Sequence, residues 1–201
     1  MKLIDFTPCL LHLLLLAELF VHSSSYPTSR SPLCSMLRSM IHQVETLAKS
    51  SGEFHDLTGE VLKHLEVSEN RLGGLPDINL TAAHFDSLKV NESLSQLFIY
   101  TQSFRLHVDW LKTAKENISV SSQQVKKASS HLLMLSSFLN ASLHQLSEEV
   151  HPLESPSLPE VSTPFDELQF SVEISKRLKM FCNWSKRVLL TLQRLSSCSR
   201  H

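Results

Sequence analysis

The sequence predicts an all-α four-helix bundle, and three observations carry that expectation. Only 4 glycines occur in 201 residues, too few for the turns of a sheet protein of this size. Apolar residues recur at three- and four-residue spacing through four separate segments, each long enough to present one buried stripe. The connections between those segments are long, short and long, and this sets the direction in which each helix runs.

The first helix is expected from about Pro32 to Lys49, with Leu33, Leu37, Met40, Ile41, Val44 and Leu47 on one stripe and Arg38, His42, Glu45 and Lys49 off it. Pro32 suits a first turn, where its missing N–H is no loss, and Gly52 lies just past the end. The second, roughly residues 92–116, repeats Leu94, Leu97, Phe98, Phe104, Val108 and Leu111, and the third, roughly 121–148, repeats Val125, Ala128, Leu132, Leu135, Leu139, Leu143 and Leu146. The fourth, 165–197, carries Leu168, Val172, Leu178, Phe181, Val188, Leu189, Leu192 and Leu195. Only Asn117 to Val120 separate the second and third helices, which forces an antiparallel pair. The connections Ser50 to Asn91 and Glu149 to Pro164 are long enough to cross the bundle, so the expected topology is up-up-down-down. Residues 53–65 read as a short helix within the first crossover. Pro152, Pro156, Pro159 and Pro164 among serines make the other irregular.

Met1 to about Ser25 has the layout of a secretory signal peptide: Lys2, a leucine-rich run from Leu10 to Leu16, then the small residues of Val21-His22-Ser23-Ser24-Ser25, with Asp5 and Glu18 as departures. The uninterrupted apolar run is shorter than the ~20 residues of a spanning helix. The expectation is therefore residues 1–25 as a leader, cleaved after Ser23, Ser24 or Ser25. Residues 26–201 are then a secreted extracellular domain without stable membrane insertion. Removing Lys2, Asp5 and Glu18 from a chain of net charge −1 leaves the mature protein formally neutral. A neutral chain has no overall attraction for nucleic acid or anionic lipid, so recognition must come from local asymmetry.

That asymmetry lies in the fourth helix. Residues 148–167 hold Glu148, Glu149, Glu154, Glu160, Asp166 and Glu167 with no base, whereas beyond Glu173 come Lys176, Arg177, Lys179, Lys186, Arg187, Arg194 and Arg200 with no acid. Lys176, Lys179, Asn183, Arg187 and Arg194 share a face away from the apolar stripe. Single bases there read as solvated surface helped by the helix dipole. The cluster reads as a docking face for an acidic partner, with Arg187 the best anchor because its planar fork pairs carboxylates in bidentate fashion. Trp184 borders the stripe and belongs inside, as does Trp110.

Five sequons, at Asn79, Asn91, Asn117, Asn140 and Asn183, fit a secreted glycoprotein. Once Cys9 leaves with the leader, Cys34, Cys182 and Cys198 remain. The start of the first helix and the end of the fourth share a pole in an up-up-down-down bundle, so Cys34–Cys198 is the expected disulfide and Cys182 a buried free thiol. Cys34–Cys182, or an intermolecular bridge through the leftover thiol, are the competing arrangements. No Gly-rich phosphate loop, Cys-x-x-Cys pair or His-Glu-x-x-His motif is present, so the chain reads as neither an enzyme nor a cofactor or metal carrier. The spacings of His55 and His64, and of His131 and His144, do not place either pair on adjacent turns of one helix face, so these read as scattered surface histidines. Amphipathic helices with basic faces also bind lipid, and a secreted lipid-binding protein is the alternative function.

Leu72-Gly73-Gly74-Leu75-Pro76, the run Leu106-His107-Val108-Asp109-Trp110-Leu111-Lys112, and Asn183-Trp184-Ser185-Lys186-Arg187-Val188-Leu189-Leu190 resemble the interleukin-11 family of long-chain cytokines. The resemblance spans about Leu72 to Leu195 and is carried mainly by the Trp-containing runs. It implies a monomeric ligand that binds a specific alpha receptor through the end of the fourth helix and part of the first connection. Two copies of a shared signalling receptor, glycoprotein 130, then bind through two further surfaces. Arg187 falls on the family's alpha-receptor arginine, with Lys179, Lys186 and Arg194 around it. Phe165 falls where the family has a Trp that engages glycoprotein 130, which keeps an aromatic anchor but loses the indole N–H.

Overall fold

A computed structural model of the protein describes residues 32–67, 72–78, 85, 87–118, 120–148 and 156–198. The expected leader and Asn79 lie outside these residues. Five helices and no strands are found among those described: α1 (Pro32–Ser51), α2 (Gly59–Val67), α3 (Val90–Asn117), α4 (Gln123–Gln145) and α5 (Pro164–Leu195). Helices α1, α3, α4 and α5 are the four bundle helices. The short α2 sits in the first crossover.

Side-chain pairs between helices establish the direction of each. Met36 and Gln43 of α1 meet Ser142 and His131 of α4, so rising numbers on one helix meet falling numbers on the other. Gln102 and Glu116 of α3 likewise meet Ser136 and Lys126 of α4. On α5, Lys186 meets Glu45 of α1, and Glu167 meets Lys115 near the end of α3. Both α4 and α5 therefore run against α1 and α3, which is the up-up-down-down topology.

The core follows the apolar spacing. Leu37, Met40, Val44 and Leu47 from α1, Leu94, Leu97, Phe104, Val108 and Leu111 from α3, Val125 to Leu143 from α4, and Phe170 to Leu192 from α5 form one buried cluster. At its centre Phe104 stacks on Phe181 with ring centroids 4.8 Å apart, and Trp184 lies 5.4 Å from Tyr100. Trp184 is fully buried, while Trp110 is partly buried and meets Phe170 edge-on at 5.2 Å. Truncating Phe104 or Phe181 to Ala would cost ~3–5 kcal/mol through lost burial and the cavity left behind. Three residues of the expected stripes do not belong to the core. Leu168 is half-buried in the second turn of α5, and Leu146 and Leu195 are exposed where α4 and α5 end.

The ends of α4 and α5 fall short of the expected positions for one shared reason. Each closes in a Schellman turn: Ser147 N–H donates to His144 and Glu148 N–H to Leu143, and Ser197 and Cys198 repeat the pattern with Arg194 and Gln193. The turning residue is a serine in the left-handed region, φ 57° at Ser147 and 53° at Ser197, where glycine is the usual signal. At its other end α5 begins at Pro164, one residue earlier than expected, because Thr163 caps it by accepting the Asp166 N–H at 3.1 Å. The Ser197 turn delivers Cys198 to the start of α1, where it forms a disulfide with Cys34 across a Cα separation of 5.6 Å. Cys182 is a buried free thiol whose ionisation burial pushes far above the usual range.

Candidate protein-binding site

The basic face of α5 is built by helical spacing. Lys176, Lys179, Asn183, Arg187 and Arg194 are all exposed, while Leu178, Phe181, Val188 and Leu192 on the opposite side are buried. The Arg187 guanidinium lies over the ring of Phe85, with Cζ 4.3 Å from its centroid. Phe85 packs in turn against the core, so the guanidinium rests against an anchored ring while Arg187 stays exposed. A ring contact of this kind lowers the freedom Arg187 loses when a carboxylate pairs with it. Lys186 stands beside it but reaches α1, where its ammonium sits 2.7 Å from Glu45 and holds that carboxyl below its ordinary range.

Not every cation of the cluster faces outward as expected. Arg177 turns under the first crossover, donating to the carbonyls of Leu75 at 2.6 Å, Leu72 at 3.3 Å and Pro76 at 3.3 Å. Glu173 pairs with Arg177 and accepts the Leu72 N–H at 3.2 Å. From α3, Ser103 Oγ donates to the Gly74 carbonyl at 2.6 Å, and the two ring nitrogens of His107 face the carbonyls of Ser103 and Gly73 at 2.8 and 2.9 Å. Residues 72–78 thus form a strap held by α3 and α5 together. Gly74 is required twice over: its φ is +80°, and a Cβ there would lie 2.7 Å from Cβ of Pro156 in the second crossover.

The other end of α5 is different in kind. Phe165 is 59% exposed, and with Thr163 as the cap it occupies neither position of a hydrophobic staple. Immediately inside, Glu167 and Lys115 form an ion pair at 2.6 Å with side-chain exposures of 4% and 5%. Ser171 Oγ donates to the same Glu167 oxygen. In the sequence Glu167 belongs to an acidic run without a base, and Lys115 is one of several bases near the end of α3. Nothing local marks a cross-helix pair between residues 115 and 167.

The remaining candidate residues are spread over the surface. Asn117 ends α3, Asn140 is exposed on α4, and Asn183 is exposed on α5. Asn91 opens α3, where its amide donates to Glu148 at 2.8 Å. Among the described residues no group of His, Cys, Asp and Glu side chains is placed to hold a metal ion.

Two of the three runs that suggest a family are in contact, since the Leu72–Pro76 strap rests on His107, and Arg187 of the third lies over Phe85. The sequence profile of the interleukin 11 family matches residues 27–196, most of the chain. This chain belongs to the interleukin-11 family. Among curated proteins no match to it is found. Interleukins are signalling cytokines rather than enzymes. No described helix is long and apolar enough to cross a membrane.

Proposed function

We propose that this protein is a secreted cytokine that binds a specific alpha receptor through the Arg187 face and then recruits glycoprotein 130. The observation that carries the reading is the exposed Arg187 guanidinium supported by Phe85 at 4.3 Å, in the midst of Lys179, Lys186 and Arg194. A basic face with a pre-oriented arginine fits an acidic receptor surface. Phe165, exposed at the opposite end of α5, supports a separate contact with glycoprotein 130. The leader-like residues 1–25 and the five sequons support export.

The test is assembly with purified ectodomains. The mature chain is expected to run as a monomer alone, to form a binary complex with an interleukin-11-type alpha receptor, and to bind glycoprotein 130 only once that complex exists. Arg187→Glu is expected to abolish the binary complex with helix content unchanged. Wild-type binary affinity in that variant would remove Arg187 from the site. Binding of the mature chain to anionic vesicles without any receptor complex would favour the lipid-binding alternative.

A further inference from the structure

We infer that Asn183 carries an N-linked glycan whose occupancy opens or closes the Arg187 face. This rests on the receptor reading of that face and adds a control upon it. Asn183-Trp184-Ser185 is a sequon inside α5, and the Asn183 side chain is exposed one helical turn from both Lys179 and Arg187. It opens onto a cleft of about 410 Å³ between α1 and α5, walled by Val44, Ala48 and the Glu45–Lys186 ion pair. There is room at this position for a first sugar without moving either helix.

The second observation concerns Ser185. It is fully buried, and its Oγ has no hydrogen-bond partner among the described residues. Other buried hydroxyls are used by the fold: Ser175 donates to the Ser51 carbonyl, Ser103 to Gly74 and Ser142 to Phe138. A buried hydroxyl without a partner destabilises the native state relative to Ala. The fold gains nothing from this one. The sequon, by contrast, requires a hydroxyl at that position, and requires it before the helix packs, while the chain is still accessible.

The modification is a transfer from a lipid-linked oligosaccharide diphosphate. The amide nitrogen of Asn183 forms a bond to C1 of the terminal N-acetylglucosamine, the C1–oxygen bond to the diphosphate breaks, and the amide proton leaves with the lipid diphosphate product. No oxidant or reductant is involved. A bulky, hydrated oligosaccharide at Asn183 sweeps the surface one turn away, so an occupied molecule cannot bring Arg187 into contact with a receptor. The receptor-competent share of a mixed preparation is then its unoccupied fraction, because the two glycoforms do not interconvert.

The full chain is expressed through a eukaryotic secretory pathway as wild type, Ser185→Ala, Ser185→Thr and Asn183→Gln. Enzymatic glycan release in heavy-oxygen water, followed by peptide mapping, reads occupancy at residue 183. Label is expected in wild type and Ser185→Thr and absent from the other two, with the Ser185→Ala unfolding midpoint unchanged or raised. Alpha-receptor ectodomain is expected to bind the glycan-free fraction roughly tenfold or more tightly than the occupied one. Unmodified Asn183 in all secreted wild-type molecules would overturn the inference and leave the receptor reading intact. Arg187→Glu in the glycan-free chain separates the two readings. Weakened binding there, alongside equal affinities of the two wild-type glycoforms, sinks the glycan control alone. Unchanged binding removes Arg187 from the site and the control with it.

Discussion

The two ends of α5 handle charge in opposite ways. At the N-terminal end the charged groups are consumed by the fold: Glu167 and Lys115 are paired at 2.6 Å and shielded from water, and Thr163 and Asp166 close the first turn. An aromatic ring, Phe165, is what remains exposed there. At the C-terminal end the apolar side chains are buried and the cations stay outside, with the Arg187 guanidinium over the ring of Phe85. One end therefore offers a partner an apolar anchor on a rigid base. The other offers a preset charge. Phe165 and Arg187 are ~33 Å apart along the helix at ~1.5 Å per residue, far enough for two partners to bind without overlap.

If this contrast holds, the largest stability effect belongs to the N-terminal end. Glu167→Ala or Lys115→Ala leaves one buried charge alone and should cost about 3–5 kcal/mol in urea unfolding, whereas Lys115→Met with Glu167→Leu should recover most of that loss. Both single variants behaving as surface mutations would mean the pair is solvated and the contrast false. At the other end, Cys34→Ser with Cys198→Ser should cost about 2–4 kcal/mol, since the bridge closes a loop of 164 residues and pins the last turn of α5 to α1. Non-reducing peptide maps should link Cys34 to Cys198 and leave Cys182 free. A Cys34–Cys182 peptide would overturn the helix register as well as the bond.

Binding separates the ends next. Arg187→Ala should weaken alpha-receptor affinity by about 2 kcal/mol, some thirtyfold, with Arg187→Glu weaker still and neither variant less stable than wild type by more than ~0.5 kcal/mol. Calorimetric titration reads the first quantity and thermal unfolding the second. Phe165→Ala should keep alpha-receptor affinity, keep its unfolding midpoint, and lower signalling about tenfold, a ~1.4 kcal/mol effect confined to the second partner. A large loss of thermal stability with normal signalling per folded molecule would make Phe165 a packing residue. The smallest change is Ser197→Gly, which relieves the left-handed backbone at the end of α5 and should stabilise by about 0.5–1 kcal/mol. Destabilisation there would mean the turn is held by something other than its own conformation.

Much of this molecule can be read along the chain because the interactions concerned are periodic or local. The four apolar stripes at i, i+3 and i+4 mark helices wherever they pack, and the short link after Asn117 leaves α3 and α4 no choice but to run antiparallel. The shared face of Lys179, Asn183, Arg187 and Arg194 follows from the same period. The early Pro164 start and the Ser147 and Ser197 turns were less legible. Serine is weakly informative, and only the closing hydrogen bonds distinguish a Schellman turn from one more turn of helix.

What tertiary structure alone decided is which charges the fold keeps for itself. In sequence, Arg177 and Arg187 are alike: two arginines on one basic helix. Packing sends the first beneath the Leu72–Ile78 strap to satisfy three carbonyls and leaves the second outside on Phe85. Glu167 and Lys115, 52 positions apart, carry no mark of the pair they form. Sequence determined the helices, their order and the polarity of their faces, because those depend on a residue and its neighbours within two turns. Contacts across tens of residues depend on which backbone carbonyls and charges two crossovers happen to bring against a helix, and only the folded chain brings them there.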